Sequence, residues 1–126
     1  MTQENKELLL KDLCARLPYV VKVNVIYSNE NASSFRQRVC VEGDNELNTD
    51  IIGLYQRNEI EIKPYLFPLS SMTEEQEREL TNITYSNNDD VTIALLTIDW
   101  LNKNHFDYRG LIEKGLALDA TGLNIY

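Results

Sequence analysis

The sequence predicts an α+β fold, in which an N-terminal helix precedes a small, strongly bent antiparallel sheet and C-terminal helices pack on that sheet. Apolar residues recur at helical spacing before Pro18, short alternating segments follow up to residue 63, and capping signals introduce helices after residue 72. A barrel-like closure of the bent sheet is an open alternative. The length of 126 residues, with 43% hydrophobic and 25% charged side chains, indicates one domain over residues 1–126.

The first helix is predicted over residues 4–17. Its apolar stripe consists of three leucines at four-residue spacing, Leu9, Leu13 and Leu17. Arg16 stands near the negative end of the helix dipole, and Pro18 ends the helix because its ring cannot continue the backbone hydrogen bonding.

Strands are predicted where apolar and polar residues alternate, over residues 19–27, 35–42 and 59–63. Residues 43–45 predict a turn, and a further short strand is predicted over residues 51–55. Pro64 and Pro68 bracket three bulky apolar residues. Because proline has no N–H for a central ladder, we expect this segment to be an edge strand or a strap over the core.

A second helix is predicted to begin after Thr73, whose capping box is completed by Gln76, and to lie on the surface because it has few apolar residues. Residues 86–90 predict a loop. The apolar residues 91–104 predict a buried helix, although their first part, residues 91–95, is also compatible with a strand.

The last segments are predicted to cover the body of the domain. Asp107 is expected to cap a short helix over residues 108–114, which Gly115 ends. The tail, residues 116–126, retains several apolar side chains, so we expect it to dock rather than to extend into solvent.

The net charge of −8 is distributed unevenly along the chain. Residues 1–63 carry eight basic and ten acidic side chains, whereas residues 64–126 carry four basic and ten acidic ones. Such a balance disfavours general binding to nucleic acid or to an anionic membrane. The tightest acidic cluster consists of Glu74, Glu75, Glu77 and Glu79, with Arg78 among them. It is either a solvated helix face, which is the favoured interpretation, or a decoy that imitates nucleic-acid phosphate.

Cys14 and Cys40 both stand in apolar patterns, so we expect two buried thiols in a reducing compartment. No apolar run approaches the about 20 residues that cross a bilayer, and the first residues lack the pattern of a signal peptide. The expected location is therefore the cytoplasm.

The residues that could support catalysis are few. His105 could act as a general base with Asp99 or Asp107 as the orienting carboxylate, but the spacing does not require such a pair. Residues 87–90 lack the glycine and the distant glutamate of a calcium loop, and the five glycines are scattered rather than grouped in a phosphate loop. We expect a protein that is not an enzyme and that has no catalytic, cofactor-binding or metal-binding residue.

Arg36 and Arg38 share one face of a predicted strand and could form a small basic patch for nucleic acid. Alternating charge also keeps any exposed strand soluble, and this second interpretation is favoured because the N-terminal half is net negative.

Three segments together resemble a family of short proteins from gut bacteria of the Bacteroides group and their phages. They are LLKDLCARLP at residues 9–18, IKPYLFPLSSMTEEQ at residues 62–76 and DWLNKNHFDYRGLIEKGLAL at residues 99–118. The resemblance implies a bacterial or prophage accessory protein, and it transfers no activity and no catalytic residue.

The leading hypothesis is a non-enzymatic accessory protein, linked to phage or mobile elements, that binds a protein partner. A surface clasp of His105, Tyr108 and Arg109 could contact that partner, because aromatic residues and arginine dominate interface hot spots. These residues equally suit core packing and capping. The alternatives are a nucleic-acid-binding module that uses Arg36 and Arg38, and an acidic decoy that inhibits a host DNA-binding protein.

Overall fold

The computed structural model of the protein describes residues 2–27 and 43–126. The helices in these residues are α1 (Gln3–Arg16), α2 (Thr49–Gln56), α3 (Glu74–Tyr85) and α4 (Asp90–Lys103). The strands are β1 (Lys22–Tyr27), β2 (Gly43–Glu46), β3 (Ile60–Pro68), β4 (Phe106–Asp107) and β5 (Leu118–Asp119). The predicted strand 35–42, with Arg36, Arg38 and Cys40, lies outside the described residues.

The sheet is mixed, and β3 joins its two halves. β1 pairs antiparallel with both β2 and β3, whereas β4 and β5 pair parallel with β3. The parallel pairs arise because the chain leaves β3, passes through α3 and α4, and returns in the same direction. The α+β class, the initial helix and the C-terminal helices are confirmed, and the described strands form an open sheet rather than a closed barrel.

The segment bracketed by Pro64 and Pro68 is part of the central strand, so its prediction as an edge strand or strap is wrong. Pro64 is opposite Val23 in the ladder with β1, and the next residue, Tyr65, is opposite Leu118 of β5. Proline therefore stands where β3 exchanges one partner strand for another. A missing N–H is tolerated at this point because Pro64 ends one ladder before the other begins.

Residues 51–55 belong to α2, so the predicted short strand is also wrong. Asn48 caps this helix, since its side chain accepts a hydrogen bond from the N–H of Ile51 at 2.9 Å. Four α2 side chains are buried at helical spacing, Ile51, Ile52, Leu54 and Tyr55. An apolar run of this length fits either a strand or a helix, and the cap together with burial on one helical face decides the outcome.

Residues 43–45 were predicted as a turn and instead begin β2. The register pairs Lys22 with Glu46 and Val25 with Gly43. A Gly-Asp-Asn sequence has low strand propensity, and pairing with the regular strand β1 overrides that preference.

The core lies between α1, α2 and the sheet. Its largest buried side chains include Leu9 and Leu13 of α1, together with Val23 of β1 and Leu66 of β3. Cys14 is exposed, so the prediction that it is buried is wrong. The buried face of α1 follows the four-residue spacing of the leucines, and Cys14 lies on another side of the helix.

Several predictions about the second half are confirmed. Thr73 and Gln76 form the capping box of α3, and all α3 residues are at least partly exposed. Residues 90–103 are a helix, capped by Asp89, rather than a strand. This helix is not buried as predicted, because Leu101 and Asn102 near its C-terminal end are its buried residues.

The Asp107 carboxylate organises the turns that follow β4. Its two oxygens accept hydrogen bonds from the backbone N–H groups of residues 109, 111 and 112 at 3.3, 3.0 and 2.9 Å. The predicted cap is confirmed, although residues 111–115 form consecutive turns rather than a regular helix. The tail docks as predicted, since Leu116, Ala117 and Ala120 are buried and β5 pairs with β3.

We expect Asp107→Ala to lower the free energy of unfolding by about 2 kcal/mol, because three backbone donors at a nearly buried position lose their acceptor. Urea unfolding followed by circular dichroism measures this change. The matched control is Asp119→Ala, which removes an exposed carboxylate that accepts hydrogen bonds from the N–H and the side chain of Thr121. Equal losses from the two variants would contradict the capping role.

Candidate functional site

A fully buried arginine lies at the C-terminal end of α1. The Nε of Arg16 donates to the Asp12 Oδ2 at 2.7 Å, and Nη2 donates to the Asp12 Oδ1 at 3.3 Å and to the Phe106 carbonyl at 2.7 Å. Asp12 and Arg16 are one helical turn apart, so both lie on the buried side of α1 with Leu9 and Leu13. This pair ties the first helix to β4.

A second arginine shares the same carboxylate. Arg109 donates from Nε to the Asp12 Oδ1 at 3.1 Å, and 21% of its side chain remains exposed. The guanidinium carbons of Arg16 and Arg109 lie 5.2 and 5.1 Å from the centroid of the Tyr108 ring. The Tyr108 hydroxyl donates to the Asn102 side-chain oxygen at 2.8 Å, which connects this cluster to α4.

His105 lies beside this cluster in a left-handed backbone conformation, with φ 63°. Its ring stacks on the Tyr126 ring, with centroids 3.7 Å apart. Burial, together with the positive charge of Arg16, lowers the pKa of His105 to about 4, so the imidazole is neutral at physiological pH. Within residues 2–27 and 43–126, its buried Nδ1 has no hydrogen-bond partner.

Tyr126 closes the end of the ladder between β1 and β3. Its hydroxyl accepts from the Lys22 N–H at 2.8 Å and donates to the Tyr65 carbonyl at 2.7 Å. Burial raises the pKa of this hydroxyl to about 12, so it remains protonated and can donate. Tyr126 thus connects β1 with β3 through its hydroxyl and covers one face of the His105 ring.

The three residues of the predicted clasp lie close together in the chain and make different contacts. Tyr108 and Arg109 join the Asp12 cluster, whereas His105 stacks on Tyr126. Asp107, one of the two proposed orienting carboxylates for His105, directs both oxygens to backbone amides. Binding of a partner by the clasp stays a prediction. The side chains of the clasp residues contact Asn102, Asp12 and Tyr126 within the domain.

Sequence reasoning missed the central position of Asp12 and Arg16. Arg16 was interpreted as a charge at a helix end, although its spacing from Leu9 and Leu13 places it on their face. The signal available in the sequence was that Asp12 and Arg16 stand four positions apart within the apolar stripe, which indicates a buried ion pair. Which charged groups are buried depends on what packs against the helix, and here β4 supplies the carbonyl that Arg16 needs.

An apolar stripe of α4 is exposed to solvent. Val91, Leu95 and Ile98 recur at helical spacing and are 66, 67 and 42% exposed. The next residue on this side of the helix, Asn102, is buried against the body. The side of α4 that packs on the domain near its C-terminal end therefore continues uncovered toward its N-terminal end. We call Val91, Ala94, Leu95 and Ile98 the α4 stripe.

The helix α3 lies beside α4 on a different side from the α4 stripe. The Trp100 Nε1 donates to the Glu79 Oε2 at 3.2 Å and joins the two helices, and the Trp100 ring stacks on Phe106 with centroids 5.6 Å apart. Trp100 is half a helical turn away from Val91 and Leu95 around α4. The α3–α4 hairpin is thus anchored at one end while the α4 stripe remains open.

Within residues 2–27 and 43–126, no group of three histidine, cysteine or acidic side chains could hold a metal ion. In the same part of the chain, no helix combines the length and the apolar character needed to span a bilayer. No protein-family model, curated protein or solved structure matches this chain.

We expect Asp12→Asn to lower the free energy of unfolding by about 3–5 kcal/mol, because a fully buried guanidinium loses its counter-ion. Urea unfolding measures the loss. The control Glu7→Gln changes an exposed carboxylate on the same helix and should stay within about 0.5 kcal/mol of the parent protein. The double variant Asp12→Leu, Arg16→Met should recover much of the loss, since apolar side chains of similar size remove both charges. A small effect of Asp12→Asn would show that the pair does not govern stability.

Acidification should destabilise the protein in part through His105. Its pKa is about 4 in the folded chain and about 6.5 when unfolded, so the unfolded chain binds a proton between these values that the folded chain does not. The contribution of His105 to stability is therefore complete above pH 6.5 and is lost as the pH falls toward 4. We expect a flatter stability profile over this range for His105→Asn, because asparagine tolerates the left-handed backbone. Parallel profiles for the two chains would contradict the prediction.

Proposed function

We propose that this protein is a non-enzymatic accessory protein that binds a protein partner through the α4 stripe. The observation that carries the proposal is that one side of α4 is buried at Asn102 and exposed at Val91, Leu95 and Ile98. Leaving several large apolar side chains in water along one helical face forgoes the free energy of burial, and such patches are typical of interaction surfaces.

The internal contacts of the polar cluster also support a binding role. The hydrogen bonds of Asp12, Arg16 and Asp107 connect α1, β4 and the turns after it, which makes these groups structural. The neutral His105 packs its ring on the ring of Tyr126. The domain thus holds the C-terminal end of α4 through the Asn102–Tyr108 hydrogen bond.

The biological setting is proposed from the resemblance of residues 9–18, 62–76 and 99–118 to the phage-associated family. An accessory protein of a phage or prophage acts in the bacterial cytoplasm, where a protein partner is available. The exposed Cys14 requires no disulfide partner in a reducing compartment.

A second candidate function is the acidic decoy. The exposure of Glu74, Glu75 and Glu77 along α3 favours it, because their carboxylates are available to a basic partner. A decoy would depend on these charges, whereas the proposed docking depends on the α4 stripe. Binding of nucleic acid by Arg36 and Arg38 stays a prediction.

A photo-crosslinking residue at position 95 tests the proposed docking in the cells that produce the protein. We expect an adduct with another protein from position 95 and none from the exposed position 114, which lies in the turns after β4. The paired substitutions Val91→Ser and Ile98→Ser should abolish the adduct from position 95. They should change the free energy of unfolding by about 1 kcal/mol or less, because both side chains are exposed.

The companion variant Glu74→Gln, Glu75→Gln, Glu77→Gln separates the two candidates. An adduct that survives in this variant and is lost with Val91→Ser, Ile98→Ser supports docking through the α4 stripe. The reverse result supports the decoy. An adduct of equal yield from position 114, or none from position 95, would overturn the proposed function.

A further inference from the structure

The shape of the α4 stripe limits what a partner can place on it. From Val91 to Ile98 the stripe runs roughly 10 Å along the helix axis, at a rise of about 1.5 Å per residue. That length equals two helical turns and accommodates three or four side chains of a partner at helical spacing. The α4 stripe is thus sized for one face of a short helix.

The backbone of α4 favours a helical partner over an extended one. Inside a helix each N–H is bonded to a carbonyl of the same helix, so the middle of α4 has no free backbone groups for a strand to pair with. A partner that covers an apolar surface must satisfy its own backbone, and a helix does so internally.

Carboxylates border the α4 stripe on both sides. Asp90 precedes Ala94 by one turn, and Asp99 follows Leu95 by one turn, and both are exposed. Residues 74–103 contain seven acidic side chains and two basic ones, a net charge of −5. A segment that presents lysine or arginine beside its apolar face would meet opposite charge along both borders of the stripe.

A second copy of this chain is a poorer occupant. Two α4 stripes facing each other would bring two hairpins of charge −5 together, in a chain whose total charge is −8. Like charges at an interface oppose association, most strongly at low salt.

We infer that the occupant of the α4 stripe is a cationic amphipathic helix of a partner protein, an inference that rests on the proposed function. Its apolar face packs on Val91, Ala94, Leu95 and Ile98, and its basic residues lie next to Asp90 and Asp99.

Designed peptides test this partner class with the purified full-length protein. The probe is a helical peptide of leucine and lysine of about 18 residues, five helical turns, with the leucines on one face. The controls are a peptide of the same composition in scrambled order and a peptide of the same pattern with glutamate in place of lysine. We expect the leucine–lysine helix to bind at least about tenfold more tightly than either control, measured by fluorescence anisotropy.

Matched variants locate the binding. Leu95→Ser with Ile98→Ser should weaken binding by about tenfold or more, because both residues lie in the α4 stripe. Asp90→Asn with Asp99→Asn should weaken it several-fold and reduce its salt dependence. The pair Glu61→Gln with Glu113→Gln makes the same change in net charge at exposed positions outside the hairpin, and should have little effect.

Each outcome decides the inference. If the pair at residues 90 and 99 and the pair at residues 61 and 113 weaken binding equally, the interaction depends on net charge alone and the inference is overturned. Binding of the scrambled peptide or the glutamate peptide as tightly as the leucine–lysine helix would also overturn it. Sedimentation showing a dimer that Leu95→Ser with Ile98→Ser dissociates would instead identify a second copy as the occupant. An adduct from position 95 without binding of the leucine–lysine helix would leave the proposed function standing and overturn the partner class. Failure of both experiments would overturn both.

Discussion

The contact between the two ends of this chain depends on the burial of the Arg16 guanidinium against the Asp12 carboxylate. The pair sits on the apolar face of α1, where removal from water is costly, and the cost is offset because Arg16 also binds the Phe106 carbonyl. Arg109 donates a further hydrogen bond to the Oδ1 of Asp12. One carboxylate on the first helix thereby positions β4 and the turns that follow α4.

The C-terminal segments are also attached to the rest of the domain by strand pairing in the sheet. β3 pairs with β1 over its first half and with β4 and β5 over its second half, and Pro64 lies at the change of partner. Tyr126 then bridges Lys22 and Tyr65 where the β1–β3 ladder ends. Two independent links, one through charges and one through the sheet, make the C-terminal segments part of the core rather than an appendage.

The α3–α4 hairpin differs from this core because several of its large apolar side chains are exposed. The hairpin is anchored by Trp100 and Asn102, and beyond this anchor Val91, Leu95 and Ile98 of the α4 stripe are exposed. The apolar stripe between two exposed carboxylates is the basis of the proposed docking of a basic helix.

Local signals in the sequence determined several features of the fold. The α+β class, the capping box at Thr73, the cap at Asp107 and the docking of the tail follow from spacing and from side chains that bind nearby backbone groups. Most of the outcomes that sequence reasoning missed depend on distant partners. β2 is a strand because β1 pairs with it, Pro64 is central because β3 changes partner there, and α2 is a helix because its four apolar residues meet the core on one side.

Apolar periodicity identified α4 as a helix but could not say what would cover it. Burial is a property of what packs against a surface, so only the tertiary structure decided that Arg16 is inside and that the α4 stripe is outside.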